Sequence, residues 1–266
     1  MNRIIILILL ISFISCSTNP KISKNTDACF LLYNLQTNEY EKVINGARCE
    51  ERTAPCSTFK LPLAVMSFDA GILRDENTSF LWDGRQRFLP VWNKDHTAQS
   101  WIQNSVVWYS QEVTKIMGMK KLKTYMTKFD YGNKDVSGSL TTSWLTPKNK
   151  EEGTIRISAF EQISFLKKLW TNKLPASARA MTITQKISYL ETSKNGFILS
   201  GKTGSGTIGE NMDKRLGWFI AHVQGNGKEY LAVYTFNDKT PVKDGAFGGP
   251  EAKEMLKSLL AKEKLW

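Results

Sequence analysis

Pro55-Cys56-Ser57-Thr58-Phe59-Lys60-Leu61-Pro62-Leu63-Ala64-Val65-Met66-Ser67-Phe68-Asp69-Ala70-Gly71 separates two kinds of chain. Phe59, Leu61, Leu63, Ala64, Val65 and Phe68 leave little polar surface, so the segment from Ser57 predicts a largely buried helix that ends at Gly71. Upstream, Phe30-Leu31-Leu32-Tyr33 and residues 40–44 flank a polar turn at Thr37-Asn38 and predict an antiparallel hairpin. Downstream lies a loop-rich stretch with Trp82-Asp83-Gly84 and Leu89-Pro90. Apolar residues near helical spacing then predict helices over 97–117, 119–129, 158–168 and 176–190. Residues 197–203 read as a strand, and 217–223 pair with 230–236 across Gly225-Asn226-Gly227. Residues 250–262 form an amphipathic helix with Pro250 in its first turn. The order of strands, many helices, strands and helix predicts an α/β chain of the α+β type. Its mainly antiparallel sheet is flanked by N- and C-terminal helices and carries an inserted, mostly helical lobe. A cleft between lobes is the expected place for a small-molecule site.

Residues 1–16 stand apart. Arg3 precedes an apolar run over 4–10, continued by Ile11, Phe13 and Ile14, which reads as a secretory signal peptide and is too short for a comfortable membrane span. Phe13-Ile14-Ser15-Cys16 approximates a bacterial lipoprotein cleavage box, so lipidation of Cys16 and ordinary cleavage nearby both remain open. A lipidated Cys16 would tether the protein to a membrane. Export to the periplasm follows from either, with residues 17–266 as a single compact unit; 41% apolar residues over the whole chain can fill a sizeable core. Export also makes a disulfide chemically accessible. Cys29 and Cys49, near opposite ends of the predicted hairpin, are the expected pair, and Cys56 reads as a small buried packing residue. Monomer and homodimer both remain open.

The net charge of +11 comes from scattered Lys and Arg without an aromatic and basic recognition motif, which argues against nucleic acid and for a solvated basic surface. The two histidines, His96 and His222, lack metal-ligand spacing, so neither a zinc site nor a histidine-dependent triad is expected.

Chemistry concentrates in two short strings. Ser57-Thr58-Phe59-Lys60 puts a hydroxyl and an amine three residues apart, on one face of a helical turn. For Ser57 to attack a carbonyl its proton must leave, and an ordinary ammonium with a pKa of ~10.4 cannot accept it. The surroundings must therefore keep Lys60 unprotonated. Lys202-Thr203-Gly204-Ser205-Gly206 follows an apolar strand, where small residues let a substrate lie against the backbone. Thr203 and Ser205 can hydrogen-bond a substrate carboxylate, and the N–H groups of Ser57 and Ser205 can form an oxyanion hole. Either string alone is weak: an exposed helix start explains the first and an ordinary bulge the second.

Together, Ser-x-x-Lys near the start and Lys-Thr-Gly on a late strand belong to active-serine penicillin-recognising enzymes. From Cys29 onward the sequence resembles the class D β-lactamases, the oxacillinases. The shared motifs are Pro55 to Lys60, Phe80-Leu81-Trp82-Asp83-Gly84, Ser105-Val106-Val107, Tyr131-Gly132-Asn133, Trp144-Leu145 and Lys202-Thr203-Gly204, in the family's order. The resemblance implies a β-lactamase/transpeptidase-like catalytic domain that hydrolyses β-lactam antibiotics and confers resistance. It also implies that CO2 or bicarbonate carboxylates Lys60 to N6-carboxylysine, with no metal and no dissociable organic cofactor. Val107, Trp144 and Leu145 would then supply apolar surroundings that depress the lysine pKa, and the Trp144 indole N–H would hold the carbamate. Ser105 carries over as the second active-site serine, passing a proton between Lys202, the substrate nitrogen and Ser57. By itself it reads as a helix serine. Val107, where an Asn stands in class A enzymes and most transpeptidases, sets the chain apart from them, and Tyr131-Gly132-Asn133 reads as a turn supporting the site wall.

The family commonly places an Arg late in the chain to hold the substrate carboxylate, but residues 240–249 contain none. Lys243 and Lys253 are weak substitutes, with surface exposure the expected role of both, and the carboxylate is then left to Thr203 and Ser205. Loops around Trp92, Trp101 and the segment after Val223 are expected at the cleft mouth. Two rivals share Ser57, Lys60 and Lys202: a penicillin-binding peptidase or transpeptidase, and a non-hydrolysing β-lactam sensor. The sensor is disfavoured because such receptors carry transmembrane segments ahead of the sensing domain.

Overall fold

The computed structural model describes residues 25–147, 153–242 and 247–266. The signal peptide with Cys16, and Lys243, lie outside them. Strands β1 (Thr26–Asn34) and β2 (Glu39–Ile44) form the expected hairpin. A short helix α1 (Gly46–Glu50) and a 3-10 turn (Cys56–Phe59) lead into α2 (Lys60–Asp69). Next come β3 (Ser79–Phe80), β4 (His96–Thr97), α3 (Ala98–Gln103), α4 (Val107–Phe129), α5 (Ala159–Trp170) and α6 (Ala178–Ile187). The chain closes with β5 (Tyr189–Thr192), β6 (Ile198–Ile208), β7 (Lys214–Gly225), β8 (Lys228–Asp238) and α7 (Gly248–Lys262).

Six strands form one antiparallel sheet in the order β2-β1-β8-β7-β6-β5, so the first hairpin docks on the last strand and both ends of the chain share one sheet. The two-residue alternation of strands then builds two cores. Leu31 and Tyr33 of β1, Trp218 and Ile220 of β7, and Leu231 and Val233 of β8 face the helical lobe. Their neighbours Phe30, Leu32, Phe219, Ala221, Ala232 and Tyr234 face α7, which covers them with Ala252, Leu256 and Leu260. Truncating one such residue, Leu256 to Ala, would cost roughly 2–5 kcal/mol in transfer and cavity energy. The α+β sheet with its inserted helical lobe and C-terminal helix is as expected. The expected N-terminal helix would precede β1, on residues outside those described.

One element boundary differs from expectation. The helix predicted over 97–117 is broken: α3 ends at Gln103, and α4 starts afresh at Val107. Ser105 is therefore not a helix serine. It has φ 55°, with its N–H bonded to the Ile102 carbonyl and the Val106 N–H bonded to the Trp101 carbonyl. That is a left-handed helix stop of the kind usually given to glycine. The break predicted between 117 and 119 is present: Gly118 has a non-helical backbone (φ 73°, ψ 156°), so α4 is two helical segments joined at a kink. Cys29 and Cys49 form a disulfide with their Cα atoms 5.2 Å apart, tying α1 to β1, and Cys56 is buried and free.

Candidate active site

The 3-10 turn decides the geometry of the first string. In such a turn residues i and i+3 eclipse, so Lys60 lies directly over Ser57 and its Nζ donates to Ser57 Oγ at 3.1 Å. The turn is held from behind. Thr58 donates to the Pro55 carbonyl from its N–H at 3.1 Å and from Oγ1 at 2.6 Å, and Gln162 of α5 donates to Thr58 Oγ1 at 3.0 Å. The Cys56 N–H donates to the Trp144 carbonyl at 2.9 Å, and the buried Trp144 ring stacks on Phe59 at 5.5 Å.

Only 1% of Lys60 is exposed. Burial, reinforced by the charge of Lys202, holds its amine well below the usual lysine pKa. Lys202, on β6, is also buried, which brings its pKa down to about 7, and it donates to Thr203 O at 3.2 Å and Thr203 Oγ1 at 3.3 Å. The small residues of the second string are required by close approach. A Cβ at Gly204 would sit 2.9 Å from the Pro55 carbonyl oxygen, and one at Gly206 would sit 2.8 Å from Cys56 Sγ. Glycine thus lets β6 lie directly against the nucleophile's turn.

A cleft of about 460 Å³ opens between these parts. Ser57, Ser105, Thr203 and Ser205 line it together with Val107 and Leu145, so the structure gathers most of the sequence-selected residues around one cavity. Ser205 Oγ accepts the Gly249 N–H at 2.9 Å, at the start of α7, which leaves its own proton free to donate. Tyr131-Gly132-Asn133 forms a turn, and the Tyr131 ring meets Phe59 edge-on at 5.6 Å. Gly132 has φ 54°, and a side chain there would collide with the Arg156 carbonyl. Asn133 donates to Thr154 O at 2.8 Å and accepts the Arg156 N–H at 2.9 Å.

Two expectations about the cleft's periphery need correction, and one weak anchor candidate drops out. Lys253 does not reach it, because its amine is paired with Glu191 of β5 at 2.7 Å. Trp101 is wholly buried, with its indole N–H on Ser110 Oγ, so it belongs to the core and not to the mouth. The turn after Val223 borders a separate depression with Gln36 and Gly196. Trp92 does line the cleft, joined by Phe88, Thr146 and Phe247, which sequence reasoning missed. Phe88 and Phe247 are exposed and lie in irregular segments, so no periodicity marked them.

His96 and His222 have internal partners. His96 bonds Ser100 Oγ and the Val91 carbonyl, each at 2.9 Å, and His222 bonds Glu229 at 2.7 Å while stacking on Trp170. Among the described residues no group of three or more His, Cys, Asp or Glu side chains is placed to hold a metal ion.

An amine hydrogen-bonded to a serine, a second buried amine on an adjacent strand and a second serine-bearing turn on the same cleft are the parts that active-serine acyl transfer requires. In keeping with this, residues 23–261 match the penicillin binding protein transpeptidase domain family. Closer relatives narrow the class. β-Lactamase OXA-1 of Escherichia coli is 40% identical over 227 residues, covering 83% of this chain and 79% of the relative. β-Lactamase OXA-48 of Klebsiella pneumoniae is 34% identical over 221 residues, covering 83% and 78%. A class D β-lactamase of known structure from Bacillus subtilis superposes with a TM-score of 0.79 at 32% identity, over 91% of this chain and 93% of that one. The chain belongs to the class D β-lactamases and is a hydrolase of that family.

Proposed function

We propose that the protein is an exported β-lactamase that opens penicillin-type rings through a Ser57 acyl-enzyme, with carboxylated Lys60 as general base, and so confers antibiotic resistance. The observation that carries this reading is the buried Lys60 amine 3.1 Å from Ser57 Oγ. An unprotonated amine can attack CO2, forming an N–C bond and releasing a proton, and burial favours that amine over ammonium. Carboxylated Lys60 then takes the Ser57 proton as Oγ attacks the lactam carbonyl carbon. The N–H groups of Ser57 and Ser205 carry the developing oxyanion, and the carbonyl re-forms as the C–N bond breaks. Ser105, backed by Lys202, delivers a proton to the departing nitrogen and takes back the one that carboxylated Lys60 received from Ser57, which leaves the carbamate a free base again. Carboxylated Lys60 next deprotonates water, which hydrolyses the ester and returns Ser57 with its proton. Trp144 holds the carbamate, Val107 and Leu145 keep its surroundings dry, and Thr203 and Ser205 bind the substrate carboxylate.

The test is turnover of a chromogenic β-lactam with and without bicarbonate, alongside mass measurement of the protein. Many turnovers per enzyme, enhanced by bicarbonate, are the expected result. A stable Ser57 adduct released only over hours would replace this reading with a penicillin-binding peptidase or a β-lactam sensor.

A further inference from the structure

We propose that Trp92 is a positioning residue for Ser105: its indole N–H, donated to the Asn104 carbonyl, holds the left-handed turn that presents the Ser105 hydroxyl to the cleft. The inference rests on the reading of Ser105 as the proton donor to the departing lactam nitrogen.

Asn104 is the last residue of the α3 stop, and the carbonyls at a helix end have no partner within the helix. The Asn104 carbonyl receives the Trp92 indole N–H at 2.9 Å. On the other side of Ser105, Trp108 in the first turn of α4 donates its own indole N–H to the Trp92 carbonyl at 2.8 Å. One residue of the loop before β4 is thus tied to the chain just before and just after Ser105. Its backbone is itself fixed, with the Trp92 N–H on the Leu89 carbonyl at 2.9 Å. Ser105 has φ 55° and a side chain, a combination the backbone disfavours, so the turn needs support from outside itself.

The same indole is only 9% exposed, yet it lines the cleft, and the Phe88 ring meets it edge-on at 5.4 Å. A substrate side chain seated at the mouth therefore presses on the ring that sets Ser105. Trp92 both lines the cleft and holds Ser105's turn through its N–H, and only the second of these concerns proton delivery.

The experiment replaces Trp92 with 3-benzothienylalanine, which keeps the ring's shape but carries sulfur where the N–H was, in both the native and the Ser105→Ala chain. Acylation is followed in the first turnover of a chromogenic β-lactam. With Ser105 present, the acylation rate should fall about tenfold, the scale of one lost hydrogen bond, while substrate affinity changes less than about twofold. In the Ser105→Ala background the same ring exchange should change the rate by less than about twofold, because the residue it positions is gone. Equal losses in both backgrounds, no loss with Ser105 present, or a loss confined to affinity would overturn the proposal. If Ser105→Ala alone acylates at the native rate, proton delivery by Ser105 is wrong, an outcome distinct from failure of the hydrogen bond.

Discussion

Lys60 and Lys202 are buried in two different layers of the fold, one on α2 and one on β6, and a charge on Lys202 adds to the burial that disfavours protonation of Lys60. Two buried amines that feel each other's charge are costly to charge together, and that cost favours an unprotonated amine.

The cost of Lys202 should appear in stability. Its pKa is lowered by burial to about 7 in the folded protein, so between there and ~10.4 the unfolded chain binds more protons. Native stability therefore falls as the pH drops through this window and levels off below it. Lys202→Met should abolish turnover yet raise stability to urea, by several kcal/mol at pH 6 and by much less near pH 10. An equal gain at both pH values would contradict the burial argument.

Lys60→Ala should lower kcat by about 10²–10⁴-fold, the range for a lost general base, while Ser57 remains in place. Native enzyme held at low pH and returned to neutral buffer free of CO2 should be slow, then recover on addition of bicarbonate. Full activity of the variant in any concentration of bicarbonate would remove Lys60 from the mechanism.

Gly204→Ala places a methyl 2.9 Å from the Pro55 carbonyl, which already accepts two bonds from Thr58. The turn must yield, displacing Ser57 relative to β6. Crowding should cost about 1–3 kcal/mol of stability, and kcat should fall by roughly 10²-fold. Denaturation and steady-state kinetics on one preparation separate the two effects.

Ser205→Ala should raise KM about tenfold for carboxylate-bearing β-lactams through loss of one hydrogen bond. Lys253→Met, which breaks only a partly exposed pair with Glu191, should leave hydrolysis within about twofold. A larger effect at Lys253 than at Ser205 would relocate the carboxylate anchor.

The Cys29–Cys49 bridge spans 20 residues. Replacing both by Ala should lower stability by about 3 kcal/mol and Tm by about 6–12 °C, with kcat at room temperature retained, because α1 contributes nothing to the cleft lining. Calorimetry with and without a reductant checks it.

The elements with strong periodicity were legible: the first hairpin, the buried α2, the β7 and β8 pair and α7 all announce themselves through apolar spacing. Ser57, Lys60 and Lys202 were legible as motifs because their chemistry requires fixed local spacing. The break at Ser105 was hidden because the left-handed stop carries Ser where Gly usually signals a helix end. The cleft mouth was hidden for a different reason. Phe88 and Phe247 lie far apart in sequence, yet their rings stand 5.9 Å apart, a meeting produced by tertiary closure alone.

The join between β6 and the 3-10 turn also bears on how the enzyme comes into being. Gly204 meets Pro55 and Thr58 only after the whole helical lobe between them has been bridged, so no early, locally folded fragment contains both amines beside Ser57. Such distant pairings close late, after the loop entropy of the intervening chain has been overcome. Catalysis is consequently a clock for the final closure: in a refolding experiment helical signal should return first, and antibiotic cleavage should return only when the sheet and the lobe lock together.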